Sequence, residues 1–367
     1  MNTTQWSKGL EGVIAAETAI SLVDGEKGKL IYRGYDAKEL SLNHSFEEIC
    51  FLLWYGRLPS HKELMTLSNA FRNDRALPEH LLHIMKQLPP EMSMMSVIRT
   101  LLSALEDPSY QWPPTIEQAI RLTAVVPTII ATRTAILKGK EPTAPHLSLD
   151  HIANYLYMIH GTSPSLAHVK ALTTYAILTM EHGMNASTFS SRVIASTESD
   201  LISSMTGAIG AMKGPLHGGA PSEVTEMLHE IGTKEHTESW LTSKLENNEK
   251  LMGFGHRVYK TTDPRAEALR EITGKLSEED VWLELAYHVE ETALRLLDQY
   301  KPGRKLYTNV EFYAAAVLKA VEIPNELFTP TFTLSRMVGW TANVIEQSID
   351  NRIFRPQSLY TGEIPTP

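Results

Sequence analysis

The feature that most constrains the fold is a succession of helix-forming segments separated by short loops rich in proline and glycine. Residues 45–48 (Ser-Phe-Glu-Glu) and 60–63 (Ser-His-Lys-Glu) both have the capping-box pattern, in which a serine and a glutamate satisfy the first free amides of a helix. Later apolar residues recur at the spacing of one helix face: Val281, Leu285, Val289, Ala293 and Leu296. The sequence therefore predicts a mainly helical protein.

One stretch, Ala19 to Tyr35, departs from the helical pattern. Short apolar runs lie on either side of a turn-forming segment that begins at Asp24-Gly25 and ends at Gly28. Two such runs around a glycine-rich turn are typical of two paired antiparallel strands. The predicted fold class is all-α, with one small N-terminal β-hairpin.

Composition limits the classes of function. The 367 residues carry a net charge of -9, so no broad basic surface predicts a nucleic-acid partner. The length favours two domains or more. The one cysteine, Cys50, cannot form an internal disulfide and lies in an apolar run, which indicates a buried thiol in a reducing compartment.

Two observations bear on location. Residues Met1 to Lys8 are polar and lack the apolar core of a signal peptide. The longest apolar run, Leu122 to Thr132, is too short to span a bilayer and contains Pro127. We therefore expect a cytoplasmic protein with no membrane partner.

Three histidines lie at glycine-rich breaks between helical segments: His182, His217 and His256. At such breaks a side chain can point into a cleft, because glycine lets a ligand approach the backbone. Their spacing has none of the short His or Cys repeats of a zinc site, although a site assembled from distant histidines stays open. A histidine on a helix face is usually a satisfied core or surface group, so these positions favour side chains that face a cleft.

Arginines add to this pattern. Arg265 follows Asp263, an expected N-cap, and Pro264, at the expected first position of a helix, where free amides already favour anions. Arg336 and Arg355 are further candidates, because a guanidinium matches a carboxylate in a bidentate manner. A carboxylate-bearing ligand is the simplest one to fit these groups.

The segment Gly253 to Arg265 (Gly-Phe-Gly-His-Arg-Val-Tyr-Lys-Thr-Thr-Asp-Pro-Arg) resembles the signature of the citrate synthase family. Other segments match in order along nearly the whole chain: residues 9–18, 32–36, 182–189, 215–220, 306–313, 336–342 and 355–356. The resemblance implies a homodimer of the shorter type. It also implies a large helical domain (residues 1–214 and 324–367) and a small one (215–323), with His217 at a hinge.

The resemblance implies a role for each candidate residue in joining acetyl-CoA to oxaloacetate. By the family pattern, His217 stabilises the enolate, His256 polarises the ketone, and Glu311 is the base. His182 and His256 would bind oxaloacetate. Its carboxylates would be bound by Arg265, Arg336 and Arg355, the last of which would reach the partner subunit's site.

For the second substrate, the resemblance implies that Gly253, Phe254 and Gly255 surround the CoA adenine and that Lys260 faces a CoA phosphate. No metal and no separate cofactor are expected, because the arginines and histidines supply the positive field.

The family pattern has aspartate where this chain has Glu311, whose side chain is one methylene longer. Displacing a base by about 1 Å can lower a rate roughly a hundredfold, so reduced efficiency is expected. One alternative is a 2-methylcitrate synthase that uses propionyl-CoA. Another is a weakly active homologue that binds metabolites.

Overall fold

The protein is described by a computed structural model that covers residues 7–218, 220–256, 258–276 and 281–365. Gly219 and Arg257, which belong to the motifs above, lie outside the described residues, as does the start of the chain up to residue 6. The side chains of residues 220–222 and 281 lie outside the description as well.

Helices make up most of the described chain, as predicted, together with 3-10 turns at Lys8–Leu10 and Asn325–Leu327. Within the described residues the α-helices are α1 Ala37–Asn43, α2 Phe46–Tyr55, α3 His61–Asp74, α4 Glu79–Gln87, α5 Met94–Ser103, α6 Ile116–Leu137, α7 His151–His160, α8 Leu166–Thr179, α9 Ala186–Ala195, α10 Leu201–Met212, α11 Pro215–Gly218, α12 Ala220–Ile231, α13 Lys234–Glu246, α14 Pro264–Gly274, α15 Val281–Tyr300, α16 Val310–Ala320 and α17 Phe328–Ile349.

The predicted helix starts are present. Both capping boxes form, with the serine hydroxyl accepting from the third helical amide and the glutamate accepting from the N-cap amide, before α2 and before α3. Asp263 caps α14 and Pro264 is its first residue. Cys50 is fully buried in α2, as predicted.

The N-terminal hairpin is confirmed, and it extends into a three-stranded sheet. Strands β1 (Ser21–Asp24) and β2 (Lys29–Tyr32) are antiparallel, with Leu22 opposite Ile31. A short strand β3 (Tyr35–Asp36) folds back on β2. Two residues are too short a run to give an alternating pattern, so β3 left no signal in the sequence.

The core is centred on two long helices. α6 packs against α3, α5, α7 and α17, and α17 also packs against α2, α8, α9 and α10. The side chain of Trp54 on α2 donates to Thr341 Oγ1 on α17 (3.0 Å). The hydroxyl groups of Tyr155 on α7 and Thr331 on α17 are 2.8 Å apart. The C-terminal helix is thus fixed to elements from the first half of the chain.

The apolar run around Pro127 is longer than expected. It is the middle of the 22-residue helix α6, which by length and composition alone could span a bilayer. Within the fold, 78% of the most apolar 18-residue stretch of α6 is buried. Arg133, which directly follows that run, is only 2% exposed and donates to the carbonyls of Met85 and Leu88 near the end of α4.

The division into two domains stays a prediction. The boundary at residues 214/215 falls between α10 and α11, and the boundary at 323/324 falls between α16 and the 3-10 turn before α17. Both positions are therefore loops in which a change of direction would leave the helices intact.

Candidate active site

His256 lies in the loop before α14, and the backbone defines its protonation. Its Nδ1 accepts hydrogen bonds from the amides of Val258 and Tyr259, both at 3.0 Å. Burial, with the neighbouring Arg265 guanidinium, lowers the pKa of His256 to about 4. A neutral imidazole whose Nδ1 accepts must carry its proton on Nε2. His256 therefore offers an Nε2–H donor at neutral pH.

A second donor lies beside it. Arg265 Nη2 is 3.2 Å from His256 Nε2. Neither group can accept from the other while the imidazole is in this tautomer, so both N–H groups are available to one acceptor oxygen. The pair is suited to a carbonyl or carboxylate oxygen.

Arg265 is held by the N-cap of its own helix. Asp263 Oδ1 accepts from Arg265 Nε (3.0 Å) and Oδ2 accepts from Nη2 (2.8 Å), and both residues are buried. Asp263 Oδ2 also accepts from the amide of Val310, the first residue of α16 (3.1 Å). One carboxylate thus ties the Arg265 side chain to the helix that carries Glu311.

Glu311 lies in the first turn of α16, where its amide donates to the N-cap Asn309 Oδ1 (3.0 Å). Burial raises the pKa of Glu311 to about 7, while the guanidinium groups of Arg265 and Arg336 oppose this increase. A carboxyl that titrates near neutrality can take up and release a proton at physiological pH, as a general base must.

His217, in α11, contacts a serine from α9. Its Nε2 lies 2.7 Å from Ser187 Oγ, which accepts from Trp340 Nε1 (3.0 Å). Burial, with Arg336, lowers the pKa of His217 to about 4, so the ring is neutral at pH 7. The single Ser187 hydrogen can go to Asn185 Oδ1 (2.8 Å) or to His217. When it goes to His217 Nε2, the imidazole carries its proton on Nδ1.

His182 faces the same cluster. Its ring centroid is 5.8 Å from that of His256, and its Nε2 lies 3.2 Å from the hydroxyl of Tyr259. Burial lowers the pKa of His182 well below its usual value, and the charges of Arg265 and Arg336 act in the same direction. His182 is therefore a neutral ring beside two cations.

Arg336, on α17, is the second buried cation of the cluster and is 2% exposed. Its Nε donates to the carbonyl of Thr179 at the end of α8 (2.6 Å), and its guanidinium stacks over the Phe332 ring (4.7 Å). Burial lowers the pKa of Arg336, and the Glu181 carboxylate opposes this shift. Two arginines with so little solvent around them are suited to binding a dianion.

The loop Gly253–Gly255 is fastened to the N-terminus of α16. Asn309 N donates to Gly253 O (2.9 Å), and Asn309 Nδ2 donates to Gly255 O (2.8 Å). Gly253 and Gly255 have φ of 84° and 81°, and a Cβ at Gly253 would lie 2.8 Å from the Phe312 ring. Glycine is therefore required here by backbone conformation and by close packing.

Two of the predicted residues lie outside this cluster. Lys260 is exposed, and its positive charge lowers the pKa of His256 less than burial and the Arg265 guanidinium do. Arg355 is exposed, in the extended segment after α17, where the amide of Phe354 donates to Ser196 Oγ (3.1 Å). The structure brings the other side chains together from α11, α14, α16, α17 and the loops before α9 and α14.

Sequence reasoning missed several residues that hold the cluster in place. Ser187 and Tyr259 contact His217 and His182. The Glu181 carboxylate accepts from Ser21 Oγ (2.9 Å) and Asn343 Nδ2 (3.0 Å). Asp263 was predicted only as a cap. The available signal was proximity along the chain, since Glu181 and Tyr259 each lie within three positions of a predicted histidine.

Comparison with known proteins matches this chain to one family. Residues 9–357 match the sequence profile of the citrate synthase C-terminal domain. The chain is 41% identical to citrate synthase 2 of Bacillus subtilis, over 97% of this chain and 96% of that one. It is 40% identical to 2-methylcitrate synthase of Mycobacterium tuberculosis, over 97% and 90%.

A solved structure of a relative superposes on nearly the whole chain. The citrate synthase of Thermoplasma acidophilum, in a ternary complex with carboxymethyl coenzyme A and oxaloacetate, superposes with a TM-score of 0.90 at 30% identity. The match covers 99% of this chain and 98% of that one. The chain is therefore a condensing acyltransferase of the citrate synthase family.

Proposed function

We propose that the protein condenses acetyl-CoA with oxaloacetate and water to give citrate and CoA. The observation that carries the proposal is the adjacent pair of donors, His256 Nε2–H and Arg265 Nη2, 3.2 Å apart beside a second buried arginine. This arrangement suits an α-keto dicarboxylate: one donor binds the ketone oxygen while the guanidinium groups bind the carboxylates.

The first step is removal of a proton from the methyl group of the thioester. Ionised Glu311 takes that proton, and the electron pair of the broken C–H bond moves into the enolate. His217 Nδ1–H donates to the enolate oxygen when Ser187 donates to Nε2 of the same ring. A neutral imidazole is a suitable donor here, since it leaves no extra positive charge in a site that already has two arginines.

The second step forms the new carbon–carbon bond. The enolate carbon attacks the ketone carbon of oxaloacetate, and the ketone oxygen becomes an alkoxide that accepts from His256 Nε2–H. Return to that oxygen of one proton, equal to the one that Glu311 removed from the methyl group, gives the citryl thioester. Water then cleaves the thioester: its OH goes to the acyl carbon, giving citrate, and its remaining hydrogen goes to the CoA sulfur. His182 and Arg336 would bind the keto acid throughout both steps. The loop Gly253–Gly255 and Lys260 would bind CoA.

A 2-methylcitrate synthase that takes propionyl-CoA is the second candidate, because a relative of that name is 40% identical to this chain. The two acyl groups differ by one methylene, which contributes only about 1–3 kcal/mol to discrimination. The same side chains would serve both reactions.

The deciding experiment measures CoA release with a thiol reagent, using oxaloacetate and either acetyl-CoA or propionyl-CoA. A kcat/KM about tenfold or more in favour of acetyl-CoA supports the proposal, and the reverse order supports the second candidate. Tight oxaloacetate binding with no CoA release from either substrate would make the protein a metabolite-binding homologue.

We also propose that the protein is a homodimer in which Arg355 completes the partner subunit's site. The exposure of Arg355 in an extended segment supports this, as do the exposed apolar side chains of Ile353, Leu359 and Tyr360 around it (57%, 75% and 68%). Apolar groups in such numbers on one segment favour a protein surface over water.

A further inference from the structure

The turn of the N-terminal hairpin contacts the segment that follows His256. The amide of Lys260 donates to Gly25 O (2.9 Å). A Cβ at Gly25 would overlap Val258 O, and a Cβ at Gly28 would lie 2.7 Å from Thr261 Cγ2. The turn and residues 258–262 are therefore packed without space for one more methyl group.

The contacted segment carries two groups of the candidate active site. The amides of Val258 and Tyr259 bind His256 Nδ1, and the Tyr259 hydroxyl lies beside His182 Nε2 (3.2 Å). A shift of this segment away from the hairpin would therefore change both the orientation of His256 and the partner of His182.

The other side of the hairpin contacts the segment that carries His182. The hydroxyl of Tyr32 on β2 donates to Glu181 O (2.8 Å), and Tyr32 is fully buried. Val23 on β1 packs against Gly183, where an added Cβ would lie 3.2 Å from Val23 Cγ2. One small sheet thus contacts the chain on both sides of the His182–His256 pair.

We infer that the β1–β2 hairpin sets the separation of the His182 and His256 segments, and that Gly25 and Gly28 are positioning residues for the keto acid. The role in keto-acid binding rests on the proposed function. The hairpin precedes both histidines by at least 150 residues in the chain, yet it would act as a spacer between them.

Gly25→Ala tests the contact with little backbone strain, because Gly25 does not have a positive φ. The added methyl group must displace Val258 or the turn. We expect the oxaloacetate Kd to rise about tenfold or more, because a displaced His256 would lose its hydrogen bond to the charged keto acid. Amide hydrogen exchange in residues 258–262 should become faster. An unchanged Kd and unchanged exchange would overturn the inference.

Gly28→Ala and Gly34→Ala form a matched pair. Both glycines have a positive φ (62° and 91°), so alanine is strained at each, but nothing lies within 4 Å of a Cβ at Gly34. Gly28→Ala should weaken oxaloacetate binding and speed exchange in residues 258–262, while Gly34→Ala should do neither. Equal effects would show that strain in the sheet is the cause. The pair also decides the question if Gly25→Ala does not fold.

The test separates this inference from the proposed function. If the parent protein binds oxaloacetate without releasing CoA, the proposed reaction fails and the binding comparison still applies. If the parent does not bind oxaloacetate, the proposed substrate and the keto-acid part of the inference both fail. Amide hydrogen exchange in residues 258–262 then tests the contact between the hairpin turn and this segment. Faster exchange in Gly28→Ala than in Gly34→Ala supports the contact, and equal exchange overturns it.

Discussion

The carboxylate of Asp263 accepts from the amide of Val310 (3.1 Å), and it is the same carboxylate that binds the Arg265 guanidinium. The proposed keto-acid site and the helix of the expected base therefore share one anchor. An asparagine could accept at only one atom, and its amide hydrogens would face donors.

Asp263→Asn should therefore weaken oxaloacetate binding and lower kcat together. Because it leaves a buried arginine without its counterion, it should also lower the free energy of unfolding, by about 3 kcal/mol or more. Denaturant unfolding and steady-state kinetics check this. Glu267→Gln, on the same helix, breaks an exposed pair with Lys38 and should change stability by less than about 1 kcal/mol. A selective loss of kcat alone would contradict the shared anchor.

Arg265→Leu and Arg336→Leu should each raise the oxaloacetate Kd at least about tenfold, because a hydrogen bond to a charged group contributes about 1.5–3 kcal/mol. Acyl-CoA binding to the free protein should change less. Calorimetric titration measures both, and circular dichroism checks folding. Arg295→Leu, which removes an exposed ion pair with Glu238, is the control and should leave the Kd unchanged. Parent-like affinity in both variants would remove these arginines from the site.

Glu311→Gln should abolish turnover while both substrates still bind, because the amide keeps the shape of the side chain and loses the base. Glu311→Asp should raise kcat about tenfold, equivalent to about 1.4 kcal/mol of barrier, since the shorter side chain has fewer conformations to lose. Single-turnover kinetics measure both. Substantial turnover by Glu311→Gln would assign proton removal to another group.

The rate should depend on pH through Glu311. Since burial raises the pKa of Glu311 to about 7, kcat/KM should rise with pH up to about 7 and level off above it. His217 and His256, with pKa near 4, should leave the profile unchanged above pH 5. A flat profile between pH 6 and 8 would contradict this assignment.

The raised pKa of Glu311 also makes the stability of the fold decrease as the pH rises. The stabilising contribution of the Glu311 carboxyl is fully present below its unfolded pKa of 4.5 and is lost as the pH rises through about 7. Glu311→Gln should therefore gain stability relative to the parent at pH 8 but not at pH 4. Equal differences at the two pH values would show that the carboxyl does not titrate in this range.

Mixing an Arg355→Leu chain with a His256→Ala chain should restore some activity, because each hybrid dimer would contain one site with both groups intact. Each variant alone, treated identically, is the control. No recovery after confirmed subunit exchange would mean that every site is built from one chain.

Local signals predicted local structure well. The capping boxes, the Asp263 cap and the hairpin turn depend on neighbours within a few residues, and all of them form. The apolar run Leu122 to Thr132 was expected to be too short to span a bilayer, but the helix that contains it has 22 residues. The charge of Arg133 did not mark the end of the buried helix, because its guanidinium finds the carbonyls of Met85 and Leu88.

Long-range pairs left no such signal. Ser187 and His217 are 30 positions apart, and Asp263 and Val310 are 47 apart. Sequence periodicity reports which face of a helix is buried, but not which helix covers it. The histidines and arginines were predicted from their places along the chain, and their roles came from the family resemblance. Their supporting hydrogen bonds required the fold.

The packing of α17 against α2, α6, α8, α9 and α10 also has a consequence for biosynthesis. These five helices are made first, and the surfaces that α17 covers stay uncovered until residues 328–349 have left the ribosome. A nascent chain would therefore expose these surfaces until translation is almost complete, a state that invites aggregation and chaperone binding. A premature stop shortly before residue 328 would leave them permanently open.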